Sequence, residues 1–281
     1  MKEKILVSYL SFVNKNNRAR RYRIFQKTFE SFKKLKKDKD LVLVSIDNNS
    51  DDDIRDELSN SGIFDYKIHL NKNFYDASVL YLTSELAKEL DIDYIFYSYD
   101  DFVFYDHSFG KSFIEFMKNN DHIHNMRVTI YDTNNVSFYD SMQTKKSINP
   151  DATRHYNQPA RNFGYDSRLM ISEEPQIIDG RIFYECNWHY TSRPSLWRNA
   201  FFSKIYEEIE QIPVMQNFEG VAMNYFFKNN MKSSFMDIGV ASTFKQSERQ
   251  VQGGRQYFDN VFVNKQELYN NYKSSLTKLI N

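Results

Sequence analysis

Two adjacent aspartates, Asp100 and Asp101, directly follow a run of aromatic and β-branched residues at positions 94–99. Such a run predicts a strand buried on both faces of a parallel sheet. In open α/β sheets, ligands bind beyond the carboxyl ends of the strands. Two carboxylates at that point can hold Mg²⁺ or Mn²⁺ and, through the cation, a phosphate. The alternative is a pair of solvated acids that open a turn.

Polar side chains also follow two earlier predicted strands. Asp47 follows the strand at 41–46, and Asn73 follows the strand at 66–70. Helices are predicted at 18–37, from about 51 to the turn at Gly62, and at 75–90, because their apolar residues recur at helical spacing. With a first strand at 5–10, this alternation predicts a doubly wound, mostly parallel α/β sheet. In that fold Asp47, Asn73 and the Asp100-Asp101 pair line one site.

Four arginines stand at the start of the first helix: Arg18, Arg20, Arg21 and Arg23. The favoured interpretation is a solvated basic face. The alternative is that one of these arginines reaches back to a phosphate near the end of the first strand.

The later elements are less regular. We expect a helix at 107–119, a strand at 126–131 and an irregular, partner-binding segment over 132–185. Strands are predicted at 181–190 and 235–241, and helices at 195–210, 219–228 and 264–279, the last docking on the domain.

Composition limits the function classes. Lys and Arg number 37, as do Asp and Glu, so a whole-protein basic field for nucleic acid is excluded. Cys186 is the only cysteine, which suits a reducing compartment and a core position. No apolar stretch has the length of a signal peptide or a membrane span, so a cytoplasmic protein is expected. Neither glycine-rich phosphate-loop motif is present, which argues against dinucleotide-binding and P-loop proteins.

Four segments resemble the GT-A glycosyltransferases, specifically the family-2-like group. Residues 7–32 are similar to that family's opening strand and helix, and residues 44–50 to its second strand. Residues 98–103 occupy the place of the DxD motif, and residues 217–224 that of the catalytic acid at a helix start. The similarity covers the first 110 residues well and the rest in outline.

The resemblance implies an enzyme that moves a sugar from a nucleotide-sugar donor to an acceptor hydroxyl, with inversion and a divalent metal. It implies that Asp101 is the direct metal ligand, with Asp100 a second ligand or bound to the ribose. Asp47 would contact the base or ribose, beside Ser8 and Tyr9. Glu219 would be the catalytic base; the alternative is an ordinary charge in a first helical turn.

The resemblance also implies a single GT-A-like domain over 1–281. Its nucleotide-binding half is expected at 1–110, its acceptor-binding half at 111–245 and a tail with a helix at 246–281. Trp188 and Arg193 are candidates for the acceptor pocket, although Trp188 is equally well a core aromatic. Lys245 or Arg249 would neutralise phosphate if a metal ligand is missing from the Asp-Asp-Phe motif.

Three functions stay open. Besides the glycosyltransferase, a sugar nucleotidyltransferase can use a similar pair of acids, although its usual glycine-rich, lysine-bearing loop is missing here. The third is a non-catalytic protein on the same fold that binds sugar or nucleic acid. The acceptor could be a glycan, a protein, a lipid-linked carrier or a modified nucleic acid.

Overall fold

The centre of the molecule is a ten-stranded sheet with helices on both faces. The computed structural model describes residues 3–128, 171–187, 194–214, 216–243 and 261–279. The first part of the chain contains, in order, β1 (Ile5–Ser11), α1 (Arg18–Lys33) with a 3₁₀ turn (Lys34–Lys37), β2 (Leu41–Asp47), α2 (Asp52–Asn60), β3 (Tyr66–His69), α3 (Tyr75–Glu89), β4 (Tyr94–Tyr99), β5 (Phe102–Phe104), α4 (Gly110–Asn119) and β6 (Ile123–Arg127).

The second part adds shorter strands and three helices among its described residues. They are β7 (Gln176–Ile178), β8 (Arg181–Cys186), β9 (Ser195–Arg198), α5 (Asn199–Glu207), β10 (Gln211–Pro213), α6 (Gln216–Lys228), β11 (Lys232–Met236), β12 (Ala241–Thr243), β13 (Phe262–Asn264), α7 (Lys265–Ser275) and β14 (Thr277–Lys278).

The strand order of the large sheet is β14-β3-β2-β1-β4-β9-β6-β11-β8-β7. Strands β3, β2, β1 and β4 are parallel neighbours, which is the order 3-2-1-4 of a doubly wound sheet. Strand β9 is antiparallel to both β4 and β6, so β6 and its parallel neighbour β11 run in the same direction as β1 to β4. The predicted class, an α/β fold with a mostly parallel sheet between helices, is confirmed.

Both faces of the sheet are buried. Every residue of β1 and β2 is buried, and their side chains alternate between two apolar clusters, with Leu6 and Leu10 on one face and Val7 and Tyr9 on the other. Helices α3, α5, α6 and α7 contribute to the first cluster, and α1, α2 and α4 to the second. This double burial explains why the strands are continuous apolar runs rather than alternating ones.

The prediction of a helix beginning at Ser195 is wrong. Residues Ser195–Arg198 form β9, which lies between β4 and β6, and the helix begins only at Asn199. Leu196 and Trp197 are both fully buried and join opposite apolar clusters, as strand geometry requires. Four residues are too few to show this period in the sequence.

Two later strands also differ from expectation. The strand predicted at 126–131 begins earlier, at Ile123, and β6 ends at Arg127; positions 129–131 lie outside the described residues. The single strand predicted at 235–241 is two strands, β11 and β12, which belong to different sheets.

The tail docks as predicted. Asn264 caps α7, because its side-chain oxygen accepts a hydrogen bond of 2.8 Å from the Glu267 amide. Leu268 and Tyr272 are fully buried in the cluster on the α3 side of the sheet. The helix ends at Ser275, and β14 then pairs antiparallel with β3.

Cys186 is buried, as expected of a core residue, and its Sγ lies 3.2 Å from the Ser233 hydroxyl. Over the described ranges, no helix is long and apolar enough to span a bilayer.

Replacing Leu268 by alanine tests the docking of the tail. The Leu268→Ala variant should lose about 2–5 kcal/mol of unfolding free energy, because the substitution leaves a cavity where a fully buried side chain was. Urea titration followed by circular dichroism measures the loss. The matched control is Gln266→Ala on the exposed side of the same helix, which should change stability by less than about 0.5 kcal/mol. Equal effects of the two substitutions would mean that the helix does not pack as described.

Candidate functional site

The carboxyl ends of β1, β2 and β4 bring two acids to one edge of the sheet. The Ser11 hydroxyl donates a hydrogen bond of 3.1 Å to Asp47, and the amide of the next residue, Phe12, donates one of 3.4 Å to Asp100. Strands β2 and β4 flank β1, so the two aspartates stand on either side of its end, roughly 10 Å apart across two strand spacings. The structure therefore brings together Asp47 and Asp100, as the topology predicted.

Asp47 is fully buried and held by its own loop. The Ser50 amide lies 3.2 Å from both carboxylate oxygens, Arg55 Nε donates a bond of 2.9 Å, and His69 lies 3.9 Å away. Burial opposes the charged form, but His69, Ser50 and Arg55 outweigh burial and hold the pKa of Asp47 below its ordinary value. Asp47 is thus an ionised anchor for the turn into α2.

Asp100 is almost completely buried, and one carboxylate oxygen forms an ion pair with Arg21 of α1. The other oxygen accepts the hydrogen bond from Phe12. Burial raises the pKa of Asp100; Arg21 opposes this shift and the neighbouring Asp101 adds to it. Because both oxygens are engaged inside the protein, Asp100 fixes the start of α1 against the end of β4.

The favoured interpretation of the arginines on α1, a solvated face, is wrong for Arg21, whose partner is buried, whereas the partners of Arg18 are themselves partly exposed. Arg21 pairs with Asp100, and Arg18 pairs with Asp51 and Asp53 at the start of α2. Arg20 and Arg23 are exposed.

The turn after β3 is tied to the turn after β2 by two asparagines. Asn48 is buried and donates a bond of 2.7 Å to the side-chain oxygen of Asn73, which also accepts the Tyr75 amide at 2.8 Å. The Asn48 side-chain oxygen accepts the Phe74 amide at 2.7 Å. Asn73 therefore lies at the same edge as Asp47 and helps to fix the N-terminus of α3.

Glu219 lies in the first turn of α6 and is partly buried. Its neighbour Phe218 stacks on Tyr206 of α5, with ring centroids 5.5 Å apart, which fixes this end of the helix. Burial raises the pKa of Tyr99 well above its ordinary value, and the negative charges of Asp76 and Glu219 add to the shift. Glu219 is therefore within electrostatic reach of the residue that precedes Asp100.

Asp101 occupies the turn directly after β4 and is partly buried. Ser8 and Tyr9, in contrast, lie within β1 and have no exposed surface. The Tyr9 hydroxyl is 2.9 Å from that of Thr28, and its ring packs against Phe32 of α1. The structure does not place Ser8 or Tyr9 at the open edge, because that edge begins about three residues further along the strand.

The remaining candidates, Trp188, Arg193, Lys245 and Arg249, lie outside the described residues. The described ranges contain no group of three or more His, Cys, Asp or Glu side chains that could hold a metal ion. A magnesium or manganese ion that also binds substrate phosphates needs only one or two carboxylates from the protein. Asp101 supplies one such carboxylate at this edge, and the Asp100 carboxylate pairs with Arg21.

Three charged residues at this edge were not predicted to belong to it: Arg55 and Asp76 were not singled out, and Arg21 was assigned to a solvated face. Arg55 stands eight residues after Asp47, one turn into the helix that starts at that strand end, a spacing from which a cation can reach back. Asp76 is the acid in the first turn of α3. The partner of Arg21 is 79 residues away in sequence, and no local signal identifies it.

No family model matches the sequence, and no curated protein matches it. Among solved structures, S. aureus TarS 1-349 matches with a TM-score of 0.48 and 11% identity, covering 87% of this chain and 61% of its own. Its complex with UDP-GlcNAc gives 0.49 and 12%, covering 95% and 64%. The CTP complex of CMP:2-keto-3-deoxy-manno-octonic acid synthetase gives a TM-score of 0.45 and 7% identity, covering 83% of this chain and 88% of its own. The chain thus spans less than two thirds of these TarS chains.

Replacing Asp47 by asparagine should make the free energy of unfolding depend less on pH in the acidic range. The pKa of Asp47 is lowered in the folded state, so its stabilising effect is full above the ordinary carboxyl value of about 4 and is lost as pH falls through the folded value. The Asp47→Asn variant should lose about 3 kcal/mol of unfolding free energy at pH 7, and the difference from wild type should shrink below pH 4.

Urea titrations at pH 7 and pH 3.5 measure both effects. The control is Asp53→Asn, which removes an exposed partner of Arg18 and should cost much less. A loss for Asp47→Asn that is the same at both pH values would contradict the assigned ionisation.

Proposed function

We propose that this protein is a glycosyltransferase that moves a sugar from a nucleotide-sugar donor to an acceptor hydroxyl, with inversion at the sugar carbon. The observation that carries the proposal is the convergence at one sheet edge. Asp47 and Asp100 accept hydrogen bonds from consecutive residues at the end of β1. Burial raises the pKa of Tyr99, the last residue of β4, and Glu219 adds to that shift. Such an edge is where α/β sheets bind nucleotides.

The donor is proposed to lie along this edge. Its base and ribose face the turns that carry Asp47 and Asn73, and its diphosphate faces the turn that carries Asp100 and Asp101. Asp101 would hold Mg²⁺ or Mn²⁺ together with phosphate oxygens and water. When bound, the cation offsets the negative charge that develops on the departing diphosphate.

Glu219 is proposed as the general base. The acceptor oxygen forms a bond to the sugar carbon, while the bond from that carbon to the phosphate oxygen breaks and its electron pair stays on the nucleoside diphosphate. The acceptor proton passes to the Glu219 carboxylate, which must therefore face the side of the sugar opposite the leaving group. Trp188 and Arg193 are proposed to bind the acceptor.

Release of nucleoside diphosphate in the presence of Mn²⁺ is the direct test. UDP-GlcNAc is a suitable first donor, followed by a panel of other nucleotide-sugars, with released diphosphate measured by a coupled assay. Asp101→Ala should reduce the rate at least 100-fold, because it removes the proposed metal ligand. The control Asp56→Ala removes an exposed acid from α2 and should leave the rate unchanged.

Two outcomes would replace the proposal. Pyrophosphate release from CTP or another triphosphate with a sugar substrate would make the protein a nucleotidyltransferase. Binding of donors without turnover, with any acceptor tried, would make it a non-catalytic binding protein.

Glu219→Gln tests the assigned base. Once a donor and acceptor pair is known, kcat should fall about 10²- to 10⁴-fold, because the amide cannot take the acceptor proton. Binding of the nucleoside diphosphate should change less than about threefold, because Glu219 faces the acceptor side. The control Glu207→Gln, an exposed acid on α5, should leave kcat unchanged. If Glu219→Gln retains full kcat, another group accepts the proton.

A further inference from the structure

In the ion pair between Arg21 and Asp100, only the arginine side chain is substantially exposed to solvent. The Asp100 side chain is 3% exposed, with one oxygen on Arg21 and the other on the Phe12 amide. The Arg21 side chain is 28% exposed. An incoming ligand at the end of β4 therefore meets the Arg21 side chain of the pair before the Asp100 carboxylate.

The position of this guanidinium is fixed by the packing of α1. The Thr28 hydroxyl donates a bond of 3.0 Å to the Asp100 carbonyl and lies 2.9 Å from the Tyr9 hydroxyl. The Tyr9 ring packs against Phe29 and Phe32 of the same helix. A cation held in place before the ligand arrives avoids most of the entropy cost of ordering a long side chain.

Arg21 also retains hydrogen-bonding capacity that Asp100 does not use. Its Nε–H is buried and has no partner among the described residues. Arg55, the other arginine anchored by a buried aspartate at this edge, is different. It donates through Nε to Asp47 and through Nη2 to Asn49 at 2.7 Å, and its Nη1 lies 3.9 Å from Asp52. Of these two guanidiniums, that of Arg21 donates fewer hydrogen bonds to the described residues.

We propose that Arg21 is a diphosphate-binding residue: Asp100 holds the guanidinium at the strand end, and its exposed side donates hydrogen bonds to a phosphate oxygen of the bound nucleoside diphosphate. This inference rests on the proposed function, because it assigns the partner of the phosphate groups which that function brings to this edge. Arginine suits the role, since its planar fork binds phosphate through charge-assisted hydrogen bonds. The fixed cation implies that the diphosphate still binds, more weakly, without a divalent metal.

The experiment compares UDP with uridine, which has no phosphate, by isothermal titration in EDTA and in Mn²⁺. Wild type should bind UDP in EDTA. Arg21→Gln should weaken UDP binding about 10- to 100-fold in both conditions, as expected for loss of a charge-assisted hydrogen bond, and should leave uridine binding within about twofold. Arg21→Lys keeps the charge but not the fork, so its affinity for UDP should be intermediate.

Two further variants keep the result interpretable. Arg23→Gln removes a positive charge from an exposed position of the same helix and should leave UDP binding within about twofold. The double variant Arg21→Gln/Asp100→Asn removes both charges of the pair, so it should fold even if the single variant leaves Asp100 unpaired and unstable. It should show the same loss of UDP affinity.

Equal weakening of UDP and uridine, or unchanged UDP binding, would overturn the assignment of Arg21. Wild type that binds UDP only in Mn²⁺ would also overturn it, because the fixed cation would then not hold phosphate alone. If wild type binds no nucleoside diphosphate from a panel of UDP, CDP, GDP and ADP in either condition, the proposed function itself fails. Failure of the two proposals is therefore distinguishable.

Discussion

Charge compensation of two buried carboxylates is the constraint on which the edge of this sheet depends. Asp47 and Asp100 are 0% and 2% exposed, and an uncompensated charge at such depth costs several kcal/mol. Arg55 and Arg21 provide the opposite charges. Each pair also joins a helix to a strand end, α2 to β2 and α1 to β4, so that the electrostatic requirement fixes the backbone geometry of the edge.

The other side of the edge depends on β9. This short strand separates β4 from β6 and leads into α5, whose first amide donates a bond of 2.8 Å to the Asp93 carbonyl just before β4. Tyr206, further along α5, supports Phe218 and thereby the first turn of α6. The position of Glu219 relative to β4 thus follows from a strand that joins the two parts of the sheet.

The sequence predicted the elements that long apolar patterns define. Strands β1, β2 and β4 and helices α1 and α3 lie within four residues of their predicted bounds, because each is a continuous buried run or repeats at helical spacing. The acids at the strand ends were therefore identifiable. Strand β9 was missed, since four residues carry no period, and the pairing of Arg21 with Asp100 is non-local. Tyr9 was expected beside the nucleotide, but strand alternation turns its ring toward α1.

The two-residue strand β14 affects the tendency of this protein to self-associate. The free margin of a sheet carries unpaired amide and carbonyl groups that can recruit a strand from another chain. Here β14 pairs with Tyr66 and Lys67 of β3, and its own residues Thr277 and Lys278 are exposed. An edge strand of only two residues that ends in a lysine is a poor template for pairing with a strand of another molecule. Removing these residues would uncover β3 and favour self-association in concentrated solution.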